Sequence, residues 1–338
     1  MEKLCRVVAP LKGGPKLRWG IVGPGGIASA FVETLLKNTD QSIVAVASRS
    51  LSRAERFARE FSIEHVHTDY DAMFDSDIDV VYVANINAHH VAVALRAIAA
   101  GKHVLVEKPL GVDASEVREV QRAAQEAGVV AMEAMWTRYL PAYVELFHQL
   151  RDGAIGDVRL AGVEIGWRSE VGDGSQIWEQ GGGVTLDRGV YGFWLACSAI
   201  GWPTRIAVLG STNEGVDSQV VAALQSHNGR SAAVSLTLDG TTSGHAELVG
   251  TLGRAEIAGH VVFAEGFDLV RGQRRDRWTD CSGLVAREGL AWQAAALALV
   301  VTERCEPLHT LEDSLRLAEL MDVTRALVAE GGGVAQIG

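Results

Sequence analysis

A glycine-rich turn between a short apolar segment and a helical segment is the feature that most restricts how this chain can fold. The turn fits the pattern GxGxxA and reads Val22-Gly23-Pro24-Gly25-Gly26-Ile27-Ala28. The first glycine permits a tight turn, the second lets the backbone approach a pyrophosphate, and the small Ala28 lets helix and strand pack closely. The phosphates would lie at the helix N-terminus. The alternative is a tight strand-to-helix turn that binds no ligand.

Short segments rich in β-branched residues alternate with helical segments around this turn. The predicted strands are 17–22, 43–48, 80–84, 104–107 and 129–132, and the predicted helices are 27–36, 52–61, 90–100 and 113–128. Such alternation is typical of βαβ units and of a parallel sheet. We therefore predict an α/β Rossmann domain over residues 17–138.

The pattern changes near residue 140. Helices are predicted at 141–151, 284–304 and 311–329, and strands at 157–167, 205–211, 219–225, 232–238, 245–250 and 255–263. The turn-sized spacers between the later strands favour an antiparallel meander. We therefore predict an α+β domain over residues 139–330, with a large, mostly antiparallel open sheet.

Length and charge exclude several classes of protein. A chain of 338 residues exceeds the usual span of one hydrophobic core, which agrees with two domains. The formal net charge of -11 argues against a nucleic-acid partner, because phosphate neutralisation needs clustered Lys and Arg. The longest apolar stretch, 290–301, is well short of the roughly 20 residues that cross a bilayer. With no signal-peptide core near the start, we expect no membrane association and a cytoplasmic location.

The cysteines give no sign of a metal site. They show neither a CxxC pair nor the Cys/His pairing that zinc needs, and they stand far apart at Cys5, Cys197, Cys281 and Cys305. We expect them to be reduced and structural, and we expect no metal.

The segment after the second predicted strand bears on the choice of dinucleotide. Where NAD-preferring folds place an Asp or Glu that holds the ribose 2′-hydroxyl, this chain has Ser48-Arg49-Ser50. A phosphate on that ribose is repelled by a carboxylate and held by a guanidinium. Ser48, Arg49 and Arg53 therefore favour NADP, without excluding NAD. The alternative is that both arginines are solvated charges at the start of a helix.

Two further motifs follow along the chain. The first comes at the end of a predicted strand and reads Gly101-Lys102-His103-Val104-Leu105-Val106-Glu107-Lys108-Pro109-Leu110. Rossmann sheets bind ligands outside the carboxyl ends of their strands, so Lys108 would lie at the ligand site, next to a proline with a potential cis bond. The second motif places Asp187 and Tyr191 on one helix face and reads Gly181-Gly182-Gly183-Val184-Thr185-Leu186-Asp187-Arg188-Gly189-Val190-Tyr191.

In these three motifs and their order, the chain resembles the Gfo/Idh/MocA oxidoreductase family from residue 17 to about 327. The segment 135–141 and the tyrosine at 191 are most similar to the branch that contains dihydrodiol and D-xylose dehydrogenases. The resemblance implies hydride transfer to or from nicotinamide, with Lys108 and Tyr191 near the reacting oxygen. Oxidising an alcohol needs a base, and a nearby ammonium would favour the Tyr191 phenolate. The alternatives are that Lys108 is a solvated lysine at a strand end and that Tyr191 is a core residue. Asp187 would orient Lys108 or a substrate hydroxyl, or else cap a helix or lie at the surface.

The motifs and the resemblance together define the candidate site residues. Those expected at the dinucleotide are Gly23, Gly25, Gly26, Ile27, Ser48, Arg49, Arg53, Asn85, Asn87, His90, Glu107, Lys108, Trp136 and Arg138. Those expected at the substrate are Trp136, Arg168, Trp178, Asp187, Arg188 and Tyr191. Arg188 departs from the family, which has an apolar residue there. It would meet an anionic or polyhydroxyl substrate, or pair with an acid at the surface.

The leading hypothesis is an NADP-dependent oxidoreductase that acts on a CH–OH group of a small polyhydroxyl substrate, namely a sugar, polyol or cyclic diol. The alternative is a non-catalytic NADP-binding regulator of the same fold, and retention of Lys108 and Tyr191 weighs against it. The predicted open sheet has a face that no helix obviously covers. By resemblance, this face implies a homodimer or a dimer of dimers.

Overall fold

The chain folds into two compact units, and the computed structural model describes residues 8–172, 176–179, 181–257 and 259–337. The first unit comprises Met1–Tyr139 and Leu284–Arg316, and the second comprises Leu140–Gly283 and Leu317–Gly338. The sequence predicts a second domain over residues 139–330, which would include residues 284–316. In the structure, this segment belongs to the first unit. It does so because its helix packs against the helix that follows the glycine turn.

The first unit contains a six-stranded parallel sheet. Its strands are β1 (Arg18–Val22), β2 (Ser42–Ala47), β3 (His65–His67), β4 (Val80–Val83), β5 (His103–Val106) and β6 (Ala131–Glu133). They lie in the order β3-β2-β1-β4-β5-β6, and every neighbouring pair is parallel. β4 is buried along its whole length, as expected for a strand with both faces covered. The predicted Rossmann sheet is confirmed, although the three-residue β3 is too short to show a sequence pattern.

The helices of the first unit alternate with its strands. They are α1 (Gly26–Asn38), α2 (Leu51–Phe61), α3 (Tyr70–Phe74), α4 (His90–Ala99) and α5 (Ala114–Ala127). α1 buries the ring of Phe31, which stacks on Tyr82 of β4 with 3.9 Å between ring centroids. α5 begins where the sequence predicts, because the side chain of Asp113 accepts a hydrogen bond from the backbone N–H of Glu116.

The second unit contains a nine-stranded mixed sheet. Its strands are β7 (Val158–Gly166), β8 (Pro203–Asn213), β9 (Val216–Ser226), β10 (Ser231–Thr237), β11 (Ala246–Gly250), β12 (Arg254–Ile257), β13 (Gly266–Arg271), β14 (Arg274–Thr279) and β15 (Gly333–Gln336). Their order is β14-β13-β12-β11-β7-β10-β9-β8-β15. Only β7 and β10 are parallel neighbours among these strands, so the mostly antiparallel sheet is confirmed.

One predicted strand of this sheet is wrong in extent. The strand expected over 255–263 ends at Ile257, and Val261–Phe263 forms a 3-10 turn. β13 and β14 follow and were not predicted. The sequence of β14, Arg-Arg-Asp-Arg-Trp-Thr, is dominated by charge, and Arg275 and Arg277 both pair with Asp268 of the adjacent β13.

One face of the second sheet is covered and the other is open. α6 (Pro141–Arg151) and α7 (Val190–Ile200) belong to this unit, and α7 packs on β7 and β10. Buried and exposed residues alternate along β9, so among the described residues one side of this strand is covered and its outward-facing side chains are exposed. The strand registers place four exposed apolar residues on this outer face, namely Leu160, Leu209, Val221 and Val334. The expected uncovered face is present.

The last two helices are α8 (Leu290–Glu303) and α9 (Leu311–Ala329), in the two stretches predicted to be helical. Within the described ranges, no helix combines the length and the apolar character needed to cross a bilayer. Cys197 and Cys281 carry free thiols, whereas Cys305 is disulfide-bonded. The expectation of four reduced cysteines is therefore wrong for Cys305, because sequence spacing does not show which thiols meet in space. Cys5 lies outside the described residues.

The glycine turn that precedes α7 depends on Gly183. Its φ is +96°, and a Cβ at this position would overlap Oδ1 of Asp217. Asp217 is buried, and its Oδ2 accepts a hydrogen bond of 2.7 Å from the backbone N–H of Thr185. The turn and this carboxylate are therefore packed directly against each other.

Gly183→Ala is expected to lower the free energy of unfolding by about 2–4 kcal/mol, since it adds a collision to an unfavourable backbone conformation. Chemical denaturation measures the loss. Gly229→Ala is the control, because φ there is +77° and a Cβ would meet nothing within 4 Å. That variant is expected to lose only about 1 kcal/mol. Equal losses in the two variants would show that Asp217 imposes no constraint.

Candidate active site

The glycine turn lies where the strand order of the first sheet reverses, between β1 and β4. Parallel sheets of this kind bind ligands outside the carboxyl ends of their strands at such a point. Gly23 has a φ of +85°, and a Cβ there would lie 2.6 Å from the backbone nitrogen of Asn85, in the turn after β4. Only glycine lets the two turns approach this closely.

The N-terminus of α1 fits an anionic group. Gly25 caps the helix without a side-chain hydrogen bond, and the first turn contains no acidic residue. The nearest atom to a Cβ on Gly25 would be 4.0 Å away, and a Cβ on Gly26 would meet nothing within 4 Å. The space beside these residues and the half-buried Ile27 is therefore open. An open, uncapped helix N-terminus suits the pyrophosphate of a dinucleotide.

The predicted ribose-phosphate residues follow β2 directly. Ser48 is buried, and its Oγ accepts a hydrogen bond of 3.2 Å from the backbone N–H of Ser50 at the start of α2. Arg49 and Arg53 are exposed, and neither pairs with an acid anywhere in the described part of the chain. These two guanidinium groups provide uncompensated positive charge at the carboxyl end of β2.

The turn after β4 is held by His90, the first residue of α4. Its Nδ1 lies 2.8 Å from the carbonyl oxygen of Pro109, and its Nε2 lies 3.0 Å from that of Asn85. Burial lowers the pKa of His90. Because both ring nitrogens face backbone carbonyls and the ring is buried, His90 links the turns after β4 and β5 rather than reaching outward, as a dinucleotide contact would.

Asn85 and Asn87 share this turn. The side-chain amide of Asn85 donates to the carbonyl of His89 at 3.3 Å, and its Oδ1 is buried without a hydrogen-bond partner among the described residues. A buried acceptor that lacks a donor is costly. Asn85 is therefore a candidate acceptor for a bound ligand, and Asn87 lies two residues further on, half-buried.

Lys108 follows β5 by two residues and is half-buried. The preceding Glu107 is buried, accepts a hydrogen bond from Tyr82 Oη, and has Oε2 3.2 Å from the backbone nitrogen of Lys108. Burial raises the pKa of Glu107, and the Tyr82 hydrogen bond opposes this shift. The Lys108–Pro109 bond is cis, in agreement with the sequence. Tyr82 was missed because it lies within an apolar strand and resembles an ordinary core residue.

Two other residues beside this turn were also missed. Glu133 ends β6, and its Oε1 accepts a hydrogen bond of 3.0 Å from the backbone N–H of Leu110. His309 Nε2 lies 3.1 Å from Glu133 Oε2. The position of Glu133 at the carboxyl end of a parallel strand was an available signal. His309 gave none, because it lies 176 residues further along the chain.

In the second unit, the segment with Asp187 is not the regular helix that the sequence predicts. Thr185–Gly189 forms a π-helical turn, and α7 begins at Val190. Such turns are rare and occur frequently at functional sites. Asp187 is partly exposed, and Tyr191, in the first turn of α7, is 6% exposed.

Arg188 is the largest departure from expectation. Its side chain has no exposed surface, donates to the carbonyl of Thr237, and donates to Ser169 Oγ at 2.7 Å. The guanidinium stacks 3.9 Å from the ring centroid of Trp167, and its Nε lies 3.5 Å from Asp187 Oδ2. Burial lowers the pKa of Arg188 to about 10, against the opposing charge of Asp187. The surface ion pair considered above is wrong, since the pairing with an acid occurs in the interior.

The remaining predicted residues divide between buried and exposed. Trp136 is buried and Arg138 half-buried, both in the 3-10 turn Trp136–Tyr139 of the first unit. In the second unit, Trp178 is half-buried, and its indole Nε1 has no hydrogen-bond partner among the described residues. Arg168 is exposed and lies 3.4 Å from Glu170. Gly23, Ser48, Asn85 and Lys108 meet at one edge of the first sheet, while Asp187 and Arg188 meet in the second unit.

Comparison with known proteins agrees with this geometry. A model described as the NAD-binding Rossmann fold of the Gfo/Idh/MocA oxidoreductase family matches residues 17–135, and the family's C-terminal domain model matches residues 143–256. The trans-1,2-dihydrobenzene-1,2-diol dehydrogenase of Mus musculus is 37% identical over 266 residues, which cover 77% of this chain and 79% of the mouse protein. The corresponding Homo sapiens enzyme is 37% identical over 237 residues, 67% and 71% of the two chains.

Solved structures show the same architecture. A 3-ketoreductase from Actinomadura kijaniata, crystallised with NADP and TDP-benzene, superposes with a TM-score of 0.80 at 26% identity, covering 92% of this chain and 97% of that one. An aldose-aldose oxidoreductase from Caulobacter crescentus, complexed with glycerol, gives 0.86 at 20% identity, covering 95% and 100%. The chain belongs to the Gfo/Idh/MocA oxidoreductase family. It is an NAD(P)-dependent dehydrogenase with a nicotinamide dinucleotide as its cofactor.

Proposed function

We propose that this enzyme transfers a hydride between NADP and a hydroxyl or carbonyl carbon of a sugar, polyol or cyclic diol. The observation that carries the proposal is the pairing of an open, uncapped α1 N-terminus with Lys108, which both lie at the carboxyl edge of one parallel sheet. The names of the relatives support the cyclic-diol part of this substrate class, since they include trans-1,2-dihydrobenzene-1,2-diol dehydrogenases, and a 3-ketoreductase is among the similar structures.

The preference for NADP rests on charge. Arg49 and Arg53 are exposed and unpaired within the described ranges, and no carboxylate occupies the position after β2. A 2′-phosphate would provide the missing anion. The uncharged 2′-hydroxyl of NAD would gain little binding free energy from these two guanidinium groups, so NAD is expected to bind more weakly than NADP.

Proton transfer is assigned to Tyr191. The nicotinamide, when bound, supplies the hydride chemistry. In the oxidation direction, the Tyr191 phenolate takes the proton of the substrate hydroxyl while a hydride passes from the carbon that bears this hydroxyl to the oxidised cofactor. In the reduction direction, the phenol gives a proton to the forming alkoxide. Lys108 favours the phenolate through its positive charge. Asp187 orients Lys108 or a substrate hydroxyl, and Arg188 fixes Asp187 from the buried side.

The A. kijaniata 3-ketoreductase has been crystallised as a variant with a tyrosine replaced by phenylalanine and as a variant with a lysine replaced by alanine, which are the two residue types proposed here. Of the other predicted substrate contacts, Trp136 and Trp178 would offer flat aromatic surfaces to a ring, and Arg168 a polar contact. Trp136 and Arg138 are also retained as proposed contacts of the dinucleotide.

Tyr191→Phe and Lys108→Met are each expected to lower kcat by about 100-fold or more, because general acid–base catalysis contributes this much. Absorbance of the reduced nicotinamide measures turnover across aldoses, inositols and dihydrodiols. Tyr143→Phe and Lys102→Met are the controls. Tyr143 Oη donates to the carbonyl of Val261. Lys102, just before β5, donates from Nζ to the carbonyls of Ser76 and Ile78. Both replacements therefore remove structural contacts only.

Unchanged turnover in both catalytic variants would refute the assignment of Tyr191 and Lys108. Tight NADP binding with no hydride exchange on any substrate would favour the regulatory alternative.

Arg49→Ser combined with Arg53→Ser is expected to raise the KM for NADP by about tenfold or more, because two charge-assisted contacts with the phosphate are lost. The KM for NAD is expected to change little. Arg59→Ser is the control, since Arg59 is an exposed residue in the last turn of α2. Equal changes for the two dinucleotides would contradict phosphate recognition by this pair.

We propose that the outer face of the second sheet joins two copies of the chain, either as a homodimer or within a dimer of dimers. Leu209 and Val221 are 68% and 57% exposed and stand opposite each other on β8 and β9. Leu209→Asp with Val221→Asp is expected to give monomers in light scattering after gel filtration. Leu252→Asp is the control, because Leu252 is 67% exposed but lies in the turn after β11. A dimer that survives the double variant would exclude this face.

A further inference from the structure

A buried cluster of Glu133, His309 and Ser314 lies against the turn that carries Lys108. All three residues are at most 3% exposed. Ser314 Oγ and Glu133 Oε2 each lie 3.1 Å from the same imidazole nitrogen, Nε2 of His309. A hydrolytic triad needs the hydroxyl and the carboxylate on opposite ring nitrogens, with the hydroxyl accessible. The cluster is therefore not a nucleophilic site, and its role must be sought in what it touches.

The cluster touches the Lys108 turn through one backbone group. Glu133 Oε1 accepts a hydrogen bond of 3.0 Å from the backbone N–H of Leu110, two residues after Lys108. On the other side of the same turn, the carbonyl of Pro109 lies 2.8 Å from His90 Nδ1. Glu107 Oε2 lies 3.2 Å from the nitrogen of Lys108 itself. Three buried ionisable side chains thus fix three consecutive residues.

The arrangement at Glu133 requires a partner on its second oxygen. A carboxylate removed from water is strongly disfavoured unless hydrogen bonds and opposite charge compensate it. His309 Nε2 supplies that partner, and the backbone N–H of His309 in turn donates to Tyr139 Oη at 3.4 Å. The backbone next to His309 is also held in place, because Thr310 and Asp313 exchange hydrogen bonds at the start of α9.

We propose that Glu133 and His309 are positioning residues for the hydride-transfer reaction, which hold the backbone around Lys108 so that its ammonium stays where the substrate needs it. The proposal rests on the catalytic role proposed for Lys108. The Glu133 carboxylate accepts a hydrogen bond from the backbone N–H of Leu110, and His309 holds that carboxylate in place. Small displacements of a catalytic group lower turnover more than they lower binding, because they change the transition state and not the rest of the ligand contacts.

The first test replaces the acceptor. Glu133→Leu removes the partner of the Leu110 N–H, and it is expected to lower kcat by about tenfold or more with KM and the NADP dissociation constant changed by less than about threefold. Glu133→Gln keeps an oxygen acceptor of the same length and is expected to retain kcat within about threefold. The assay uses trans-1,2-dihydrobenzene-1,2-diol with NADP, or whichever member of the panel the wild type oxidises.

A matched control separates positioning from loss of stability. Gln41 is buried at the start of the first sheet, where its Oε1 accepts hydrogen bonds from the backbone N–H of Leu17 and from Trp19 Nε1. Gln41→Leu is expected to lower the thermal midpoint as Glu133→Leu does, but to leave kcat unchanged. Loss of kcat in both variants, in proportion to the loss of stability, would overturn the proposal.

A second test concerns the hydrogen-bond partner of Glu133. Burial opposes ionisation of Glu133, but the hydrogen bond with His309 keeps its pKa below the ordinary value. His309→Leu removes that support, so burial then raises the pKa and the carboxylate is protonated at higher pH. The acid limb of the kcat profile is expected to move to higher pH. Glu107, His90 and Tyr139 are the other titratable groups near Glu133, and none of them is altered. An unmoved acid limb would count against the role of His309.

A third readout does not depend on turnover. The rate at which Lys108 is acylated by an amine reagent, followed by mass spectrometry, is expected to rise by about threefold or more in Glu133→Leu but not in Glu133→Gln. Lys102 in the same digest is the internal standard. If the wild type turns over no substrate, the proposed function fails, while this measurement still decides whether Glu133 holds the backbone around Lys108. A Lys108 rate equal to that of the wild type in Glu133→Leu would refute it.

Discussion

The strands of a parallel sheet end along one edge, and the backbone groups of the turns beyond that edge need partners inside the protein. In this enzyme, buried ionisable side chains supply them around Lys108. Glu107 lies in the turn itself, His90 in α4 and Glu133 in β6, and each contacts one of three consecutive residues. The rest of the site depends on this arrangement, because a cationic side chain is useful to a reaction only where its backbone is fixed.

In the second unit, too, buried ionisable side chains hold short segments in place. Asp217 is packed against the glycine turn before α7, and Arg188 is buried beneath Asp187 with its donors on Thr237 and Ser169. A lone buried guanidinium is expensive, and stacking on Trp167 together with the nearby carboxylate compensates part of that cost. Both units therefore use buried charge to fix the short segments on which the proposed chemistry depends.

Family membership sets the architecture and the cofactor class, whereas the substrate depends on individual side chains. Related structures with very similar folds are described with glycerol or with TDP-benzene, which are chemically unlike each other. Residues that depart from the family pattern are therefore the ones that bear on which substrate this chain binds. Arg188 is expected to be one, and its buried guanidinium lies against Asp187.

Glycine turns, hydrophobic periodicity and helix caps are local properties, so the Rossmann sheet and most of the antiparallel sheet could be predicted from the amino-acid sequence. It failed where partners are distant in sequence. Glu133 with His309, Tyr82 with Glu107, the interior position of Arg188 and the return of residues 284–316 to the first unit are contacts across the chain. These contacts become visible only in the folded chain, since no local pattern records which buried groups form hydrogen bonds or ion pairs with one another.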